Sequence, residues 1–200
     1  MAETPVRFAI VGLGMGRNRA RMVRRTEGAG LMCVCSLDAQ QAQAVAQELE
    51  CDWTTSLDEV LARRDVDVVG IMTPSGTHCD YAVRALAAGK HVFVTKPMDI
   101  RVEACDRAIA AARRAGKILA VDFEARYTEP NRRIRAALQA GWLGRIFLAD
   151  LRMKWFRAQS YYDGGLPAGW RSRRETEGGS LANQGVHYLD LLQWWLGPVT

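Results

Sequence analysis

Short, almost unbroken apolar runs alternate with amphipathic stretches through the first part of the chain. Val6–Val11 is apolar nearly throughout and runs into glycine, the pattern of a strand buried on both faces of a parallel sheet. Gly16 to about Thr26 then reads as a helix, Leu31–Cys35 as a second strand, and Ala39–Glu50 as a helix that Asp38 is placed to cap. Ser56–Leu61 predicts a short helix and Val66–Met72 a third buried strand. Thr77–Ala88 is helical up to Gly89, His91–Thr95 is a strand, Arg101–Ala115 is helical up to Gly116, and Ile118–Val121 is a strand. Strand and helix alternate from residue 6 to residue 121, which predicts an α/β fold with a doubly wound parallel sheet of the Rossmann type.

The pattern then changes. Glu129-Pro130 opens a helix to about Ala140, Gly141-Trp142-Leu143-Gly144 makes a turn, and Ile146–Trp155 alternates like a strand of an open antiparallel sheet. Ser160–Gly179 holds five glycines and one proline and reads as loop. Asn183–Leu196 predicts a helix closed by Gly197-Pro198. A boundary near residue 123 follows. It divides a Rossmann domain, 1–123, from an incomplete α+β domain, 124–200, with no internal repeat.

Composition narrows the class. Hydrophobic residues make up 48% and charged residues 24%, ordinary values for a globular protein. The opening Met1-Ala2-Glu3-Thr4-Pro5 lacks the basic-then-apolar order of a signal peptide, and no apolar run approaches the ~18 residues of a membrane span. Cys33, Cys35, Cys51, Cys79 and Cys105 show no C-x-x-C spacing, and Cys33 and Cys35 should share one buried face of a strand. We therefore expect reduced cysteines in a cytoplasmic protein, and no metal, because no His/Cys cluster has ligand spacing.

The net charge of +5 owes much to Arg17, Arg19, Arg21, Arg24 and Arg25. Such a cluster can mark a nucleic-acid patch, but no interleaved aromatics or reader motif accompany it. The reading taken is the solvated face of a helix, with no nucleic-acid and no membrane partner.

Gly12-Leu13-Gly14-Met15-Gly16-Arg17 follows the first strand and opens a helix. Glycine suits a tight turn and a close backbone approach to a pyrophosphate, and the helix N-terminus offers free N–H groups to the phosphates. The pattern departs from G-x-G-x-x-G, because Arg17 stands at the third glycine position. At the end of strand two, where an acid would bind the ribose hydroxyls, stand Ser36, Leu37 and Asp38. Ser36 does not repel a 2′-phosphate and Arg17 is near enough in sequence to attract one, which tilts the reading from NAD toward NADP. Alternatively Asp38 takes the ribose role, or only caps its helix.

Three further segments carry a resemblance: Thr73-Pro74-Ser75-Gly76-Thr77-His78, Gly89-Lys90-His91-Val92-Phe93-Val94-Thr95-Lys96-Pro97, and Gly178-Gly179-Ser180-Leu181-Ala182-Asn183-Gln184-Gly185-Val186-His187-Tyr188-Leu189-Asp190. With the glycine loop they resemble, in order and across essentially the whole chain, the Gfo/Idh/MocA family of oxidoreductases. The resemblance implies hydride transfer between a nicotinamide cofactor, NAD or NADP, and a secondary alcohol of a sugar, sugar nucleotide or cyclitol. It implies a cofactor site of Gly12, Gly14, Met15, Gly16, Arg17, Ser36, Asp38, Thr73, Pro74, His78, Lys96 and Pro97, with Trp170 and Arg171 reaching the cofactor from the second domain. Lys96 would lie near the reacting hydroxyl, His187 would act as general acid/base, and Asn183 stands where the family usually has aspartate.

The chemistry agrees with this cast. A hydroxyl proton must be accepted as hydride leaves, and imidazole titrates near operating pH. Asn183 and His187, four apart, should share one helix face, with Asp190 a turn further. Taken singly, His187 reads as an ordinary helix histidine, Lys96 as a strand-end lysine, His78 as a helix starter, His91 as solvent-facing, Asp190 as a surface charge, and Trp194 and Trp195 as packing. Arg126, Tyr127, Trp155 and the 160–175 loop would supply substrate contacts. Family members continue past this point into further strands, so the resemblance also implies a C-terminally truncated chain and a homo-oligomer for a full-length form. Thr95 in place of glutamate and Asn183 in place of aspartate keep a second reading open, a non-catalytic nucleotide sensor or scaffold. A biliverdin-reductase-like or dihydrodiol-dehydrogenase-like activity also fits, because fold does not fix substrate.

Overall fold

The structure, a computed structural model, describes residues 4–198; the extreme ends of the two expected domains, 1–3 and 199–200, lie outside the described residues. Residues divide into two compact units, 1–121 and 122–200.

The first unit is built on six strands: β1 (Val6–Val11), β2 (Ala29–Cys35), β3 (Asp52–Thr54), β4 (Val68–Ile71), β5 (His91–Thr95) and β6 (Leu119–Asp122), in sheet order β3-β2-β1-β4-β5-β6. The pairs β1–β2, β1–β4, β2–β3 and β4–β5 are parallel. Parallel neighbours need crossovers, and these are α1 (Gly16–Arg25), α2 (Ala39–Leu49), α3 (Leu57–Ala62), α4 (His78–Ala87) and α5 (Val102–Ala115). The expected doubly wound Rossmann architecture is present. Alternate residues of each strand feed two cores. Ile10, Leu31 and Val34 pack with Ala20, Ala42 and Val45 of α1 and α2. Ala9, Val11, Cys33 and Cys35 pack with Leu57, Val60, Ala82, Leu86 and Ala108 on the opposite face. Cys33 and Cys35 thus share one face, and burial pushes their thiols up to about 12 and about 11.

Local chemistry sets the element ends. Asp38 Oδ1 accepts the Gln41 N–H at 3.1 Å and caps α2, and Ser56 Oγ accepts the Glu59 N–H to cap α3. Gly116, at φ 61°, closes α5 in the left-handed conformation. β3 is absent from the sequence reading. It has three residues, and it exists because Cys33–Cys35 of β2 offer it a ladder.

The second unit holds α6 (Glu129–Gln139), the short helices α7 (Gln159–Asp163) and α8 (Arg174–Glu177), 3₁₀ turns at Glu124–Tyr127 and Trp170–Ser172, a π-helical turn at Leu181–Gly185, and α9 (Val186–Leu196). Two expectations fail here. Ile146–Trp155 is not a strand, because no strand of this unit lies among the described residues to pair with it, and an alternating pattern alone makes no ladder. The Ser160–Gly179 stretch is not plain loop. Its backbone folds into short turns, with Gly169 N–H on the Asp163 carbonyl at 3.0 Å and Glu177 N–H on that of Arg173 at 3.0 Å.

Candidate cofactor and active site

In a doubly wound sheet the crevice opens beyond the carboxyl ends of the strands where the order reverses, here between β1 and β4. The β1 end carries the glycine loop. Gly12 has φ +90°, and a Cβ there would stand 2.6 Å from the Met72 carbonyl oxygen, so only glycine lets the loop lie against the end of β4. A Cβ at Gly14 would meet nothing within 4 Å, so this stretch faces open space. Gly16 packs α1 down: its Cβ would touch Met72 and Ile10 at 3.0 and 3.1 Å. The close helix packing that the third glycine of G-x-G-x-x-G usually provides falls here to Gly16, and this frees position 17 for arginine. No side chain caps the α1 N-terminus and its first turn holds no acid, so its backbone donors and positive dipole end are left for a ligand. That cradle fits a dinucleotide pyrophosphate.

Arg17 is the second residue of α1. Its guanidinium is paired with Glu48 in the last turn of α2. Ser36, buried at the end of β2, donates its hydroxyl to Gln41 Oε1 at 2.9 Å and accepts the Asp38 N–H at 3.2 Å. Asp38 does the capping that the sequence allowed, and both side chains are thereby fixed at the carboxyl end of β2.

The β4 and β5 loops are clamped together by a residue whose part was not legible. His78 is completely buried, with Nδ1 2.8 Å from the Pro97 carbonyl oxygen and Nε2 2.7 Å from that of Thr73. Both ring nitrogens are thus engaged, and the enclosed imidazole braces the Thr73-Pro74 and Lys96-Pro97 segments. Burial pushes its pKa down, against the two carbonyls and the Asp99 carboxylate. Asp99 adds a second tie: Oδ2 accepts the Cys79 N–H at 3.2 Å while Oδ1 accepts those of Ile100 and Arg101 at 2.8 and 3.1 Å. Thr73 and Thr77 hydroxyls share a 2.8 Å hydrogen bond above this clamp. Lys96 is buried at the end of β5, joined to Pro97 by a cis peptide. His91 does not simply face solvent: Nδ1 accepts the Ile118 N–H at 3.1 Å.

In the second unit Asn183 lies inside the π-helical turn and His187 in the first turn of α9. The four-residue spacing therefore does not give one α-helical face, because the π turn widens the helix between them. Asn183 is buried, and its Nδ2 donates to Tyr161 Oη at 3.2 Å, as does Gln184 Nε2 at 3.2 Å. Tyr161 thus organises this end of the unit. Its long sequence separation from Asn183 hid that role. Arg171 stacks on Tyr161 and Trp170 at 4.8 and 4.5 Å, so the Trp170-Arg171 pair is held against Tyr161. Asp190 is no surface charge. It is buried and takes both forks of Arg126, Nε to Oδ2 at 2.8 Å and Nη2 to Oδ1. Arg126, expected at the substrate, is committed to that pair. Trp194 and Trp195 pack as expected: Arg135 lies 4.2 Å over Trp194, and Trp195 Nε1 donates to the Asn131 carbonyl at 3.1 Å. Among the described residues no His/Cys/Asp/Glu group could hold a metal, and no helix is long and apolar enough to cross a membrane.

Comparison with known proteins agrees with this fold. Residues 6–123 match the model of the GFO/IDH/MocA oxidoreductase family, NAD-binding Rossmann fold, and residues 131–200 match the GFO/IDH/MocA C-terminal domain. The chain is 29% identical to 2,7-anhydro-N-acetylneuraminate hydratase of Mediterraneibacter gnavus, covering 96% of this chain and 50% of that protein. It is 30% identical to D-glucoside 3-dehydrogenase of Escherichia coli, covering 98% and 56%. The crystal structure of the WlbA dehydrogenase from Bordetella pertussis, in complex with NADH and UDP-GlcNAcA, superposes with a TM-score of 0.92 at 33% identity, covering 100% of this chain and 57% of that one. The chain thus spans about half the length of the curated relatives it matches.

Proposed function

The chain belongs to the GFO/IDH/MocA oxidoreductase family, and from that membership we propose that it forms the cofactor half and the beginning of the substrate domain of a nicotinamide-dependent dehydrogenase acting on a secondary alcohol of a sugar, sugar nucleotide or cyclitol. The observation that carries the reading is the cradle itself: a glycine with no room for a Cβ, leading into a helix N-terminus that no side chain caps. The sugar and nucleotide-sugar names of the relatives support the substrate class.

In this reading Gly12 to Gly16 and the α1 N-terminus hold the pyrophosphate, Ser36 and Asp38 border the adenosine ribose, and Thr73-Pro74 and Lys96-Pro97 border the nicotinamide end, braced by His78. The bound dinucleotide supplies the hydride acceptor. Lys96 places an ammonium beside the reacting hydroxyl and favours the alkoxide-like form as its proton leaves. In the second unit the family resemblance implies the general acid/base role for His187, and Asn183 is oriented through its amide by Tyr161. A neutral amide at position 183 lends His187 no charge, so orientation is its whole contribution.

The test is turnover with a nicotinamide dinucleotide and sugar, sugar-nucleotide or cyclitol alcohols. His187→Ala should lower kcat by about 10²- to 10⁴-fold, the usual weight of a general acid/base, with dinucleotide binding unchanged. Unchanged turnover would remove His187 from the mechanism.

A further inference from the structure

Helix α1 places Arg17 in its first turn and Arg21 one turn later, and both guanidiniums converge on one carboxylate of α2. Arg17 Nη2 and Nε lie 2.5 and 3.2 Å from Glu48 Oε2. Arg21 Nε lies 2.5 Å from Oε1 and its Nη2 3.0 Å from Oε2. The two guanidiniums hold the Glu48 carboxyl down at about 2, so Glu48 keeps its charge through the neutral range.

The position of Glu48 gives this cluster its meaning. It stands in the last turn of α2, about 15 Å along the helix axis from the Asp38 cap. The ribose end is the other end, where Ser36 is bonded to Gln41 and Asp38 presents a carboxylate. A 2′-phosphate added there brings about two negative charges and requires a cation. The guanidiniums of Arg17 and Arg21 are engaged at the opposite end of α2, on Glu48.

We propose that Glu48 is a specificity-determining residue of the cofactor site: by tethering Arg17 and Arg21 at the far end of α2, it withholds the counter-charge a 2′-phosphate requires and makes the site select NAD over NADP. The inference rests on the cofactor reading above. It reverses the tilt toward NADP that Ser36 and Arg17 gave in the sequence alone.

Fluorescence titration of the purified chain with NADH and with NADPH tests it without turnover. The parent should bind NADH more tightly. Glu48→Ala, which frees both arginines, should tighten NADPH relative to NADH by about tenfold, the worth of one charge-assisted contact. Glu48→Gln, which keeps the side-chain shape, should move the ratio the same way, and adding Arg17→Ala to either variant should cancel most of the gain. Glu50→Gln is the control. It removes a charge from the same end of α2, where Glu50 pairs with Arg24, and should leave the ratio within about twofold. Equal shifts from the Glu48 and Glu50 variants would overturn the proposal in favour of bulk charge, and so would selective loss of NADPH binding in Arg17→Ala alone. If the parent binds NADH and no Glu48 variant moves the ratio, the proposal falls alone; if the folded parent binds neither dinucleotide, the cofactor reading falls with it.

Discussion

In the first unit an apolar run such as Val66–Met72 finds a neighbour on each side, because β1 and β5 flank β4, and it becomes strand. In the second, Ile146–Trp155 has the alternation of a strand and no ladder among the described residues. Phe147 and Leu148 are left 93% and 75% exposed, and Phe156 beyond them 87%. Pattern states what a segment can bury, and pairing decides whether it does. The first unit supplies its partners at each crossover, so its sheet and the loops at its carboxyl ends are determined together. The second unit is held instead by a few specific polar ties: Arg126 to Asp190, Tyr161 to Asn183 and Gln184, and Trp195 to Asn131.

The largest expected contrast is in hydrogen exchange. Amides of β1 and β4 should exchange about a thousandfold or more slowly than those of 146–155, a gap of about 4 kcal/mol in opening free energy. Comparable protection of the two segments in this chain would break the comparison.

Next comes Gly12→Ala. Forcing a Cβ against the Met72 carbonyl at φ +90° should cost the first unit about 3 kcal/mol and disrupt the cradle. Urea denaturation measures it, and an m-value unchanged from the parent would keep the cause local. Arg126→Ala tests the second unit in the same way. It strands the buried Asp190 carboxylate, and the cost should be about 2 kcal/mol, less than for a fully enclosed pair because the Arg126 side chain is 38% exposed.

How much of this was legible follows the same divide. β1, the Asp38 cap and the Gly116 stop can be read from neighbours in sequence, and so can the phosphate loop, since strand, glycine and helix are contiguous. What required the folded chain were contacts between distant positions. His78 reads as a helix starter until Thr73 and Pro97 are seen on its two ring nitrogens. Asp190 reads as a surface charge until Arg126, 64 residues away, forks onto it. The pairing of Arg17 with Glu48, 31 residues away, is likewise invisible in the sequence. The packing duty of Gly16 was missed because the motif assigns it to position 17.

The smallest expected effect is on pH. His78 is buried with its pKa lowered by desolvation, against the opposing pull of Asp99 and beside the positive Lys96. Its folded pKa lies below the unfolded value of about 6.5, so the unfolded chain takes up the proton first and stability falls as pH drops below that value. The slope should approach, without exceeding, about 1.4 kcal/mol per pH unit. Thermal unfolding of the parent and of His78→Asn between neutral and mildly acid pH measures it. The variant should lose this part of the slope, and identical slopes would mean that His78 is not the group responsible.

The central claim is that the β1 glycine loop and the loops braced by His78 receive a dinucleotide. Hydrogen exchange of the chain with and without saturating NADH tests it most directly. Added protection is expected over residues 12–18 and 73–78, with the 146–155 segment unchanged. Saturable NADH binding that protects neither loop would contradict it.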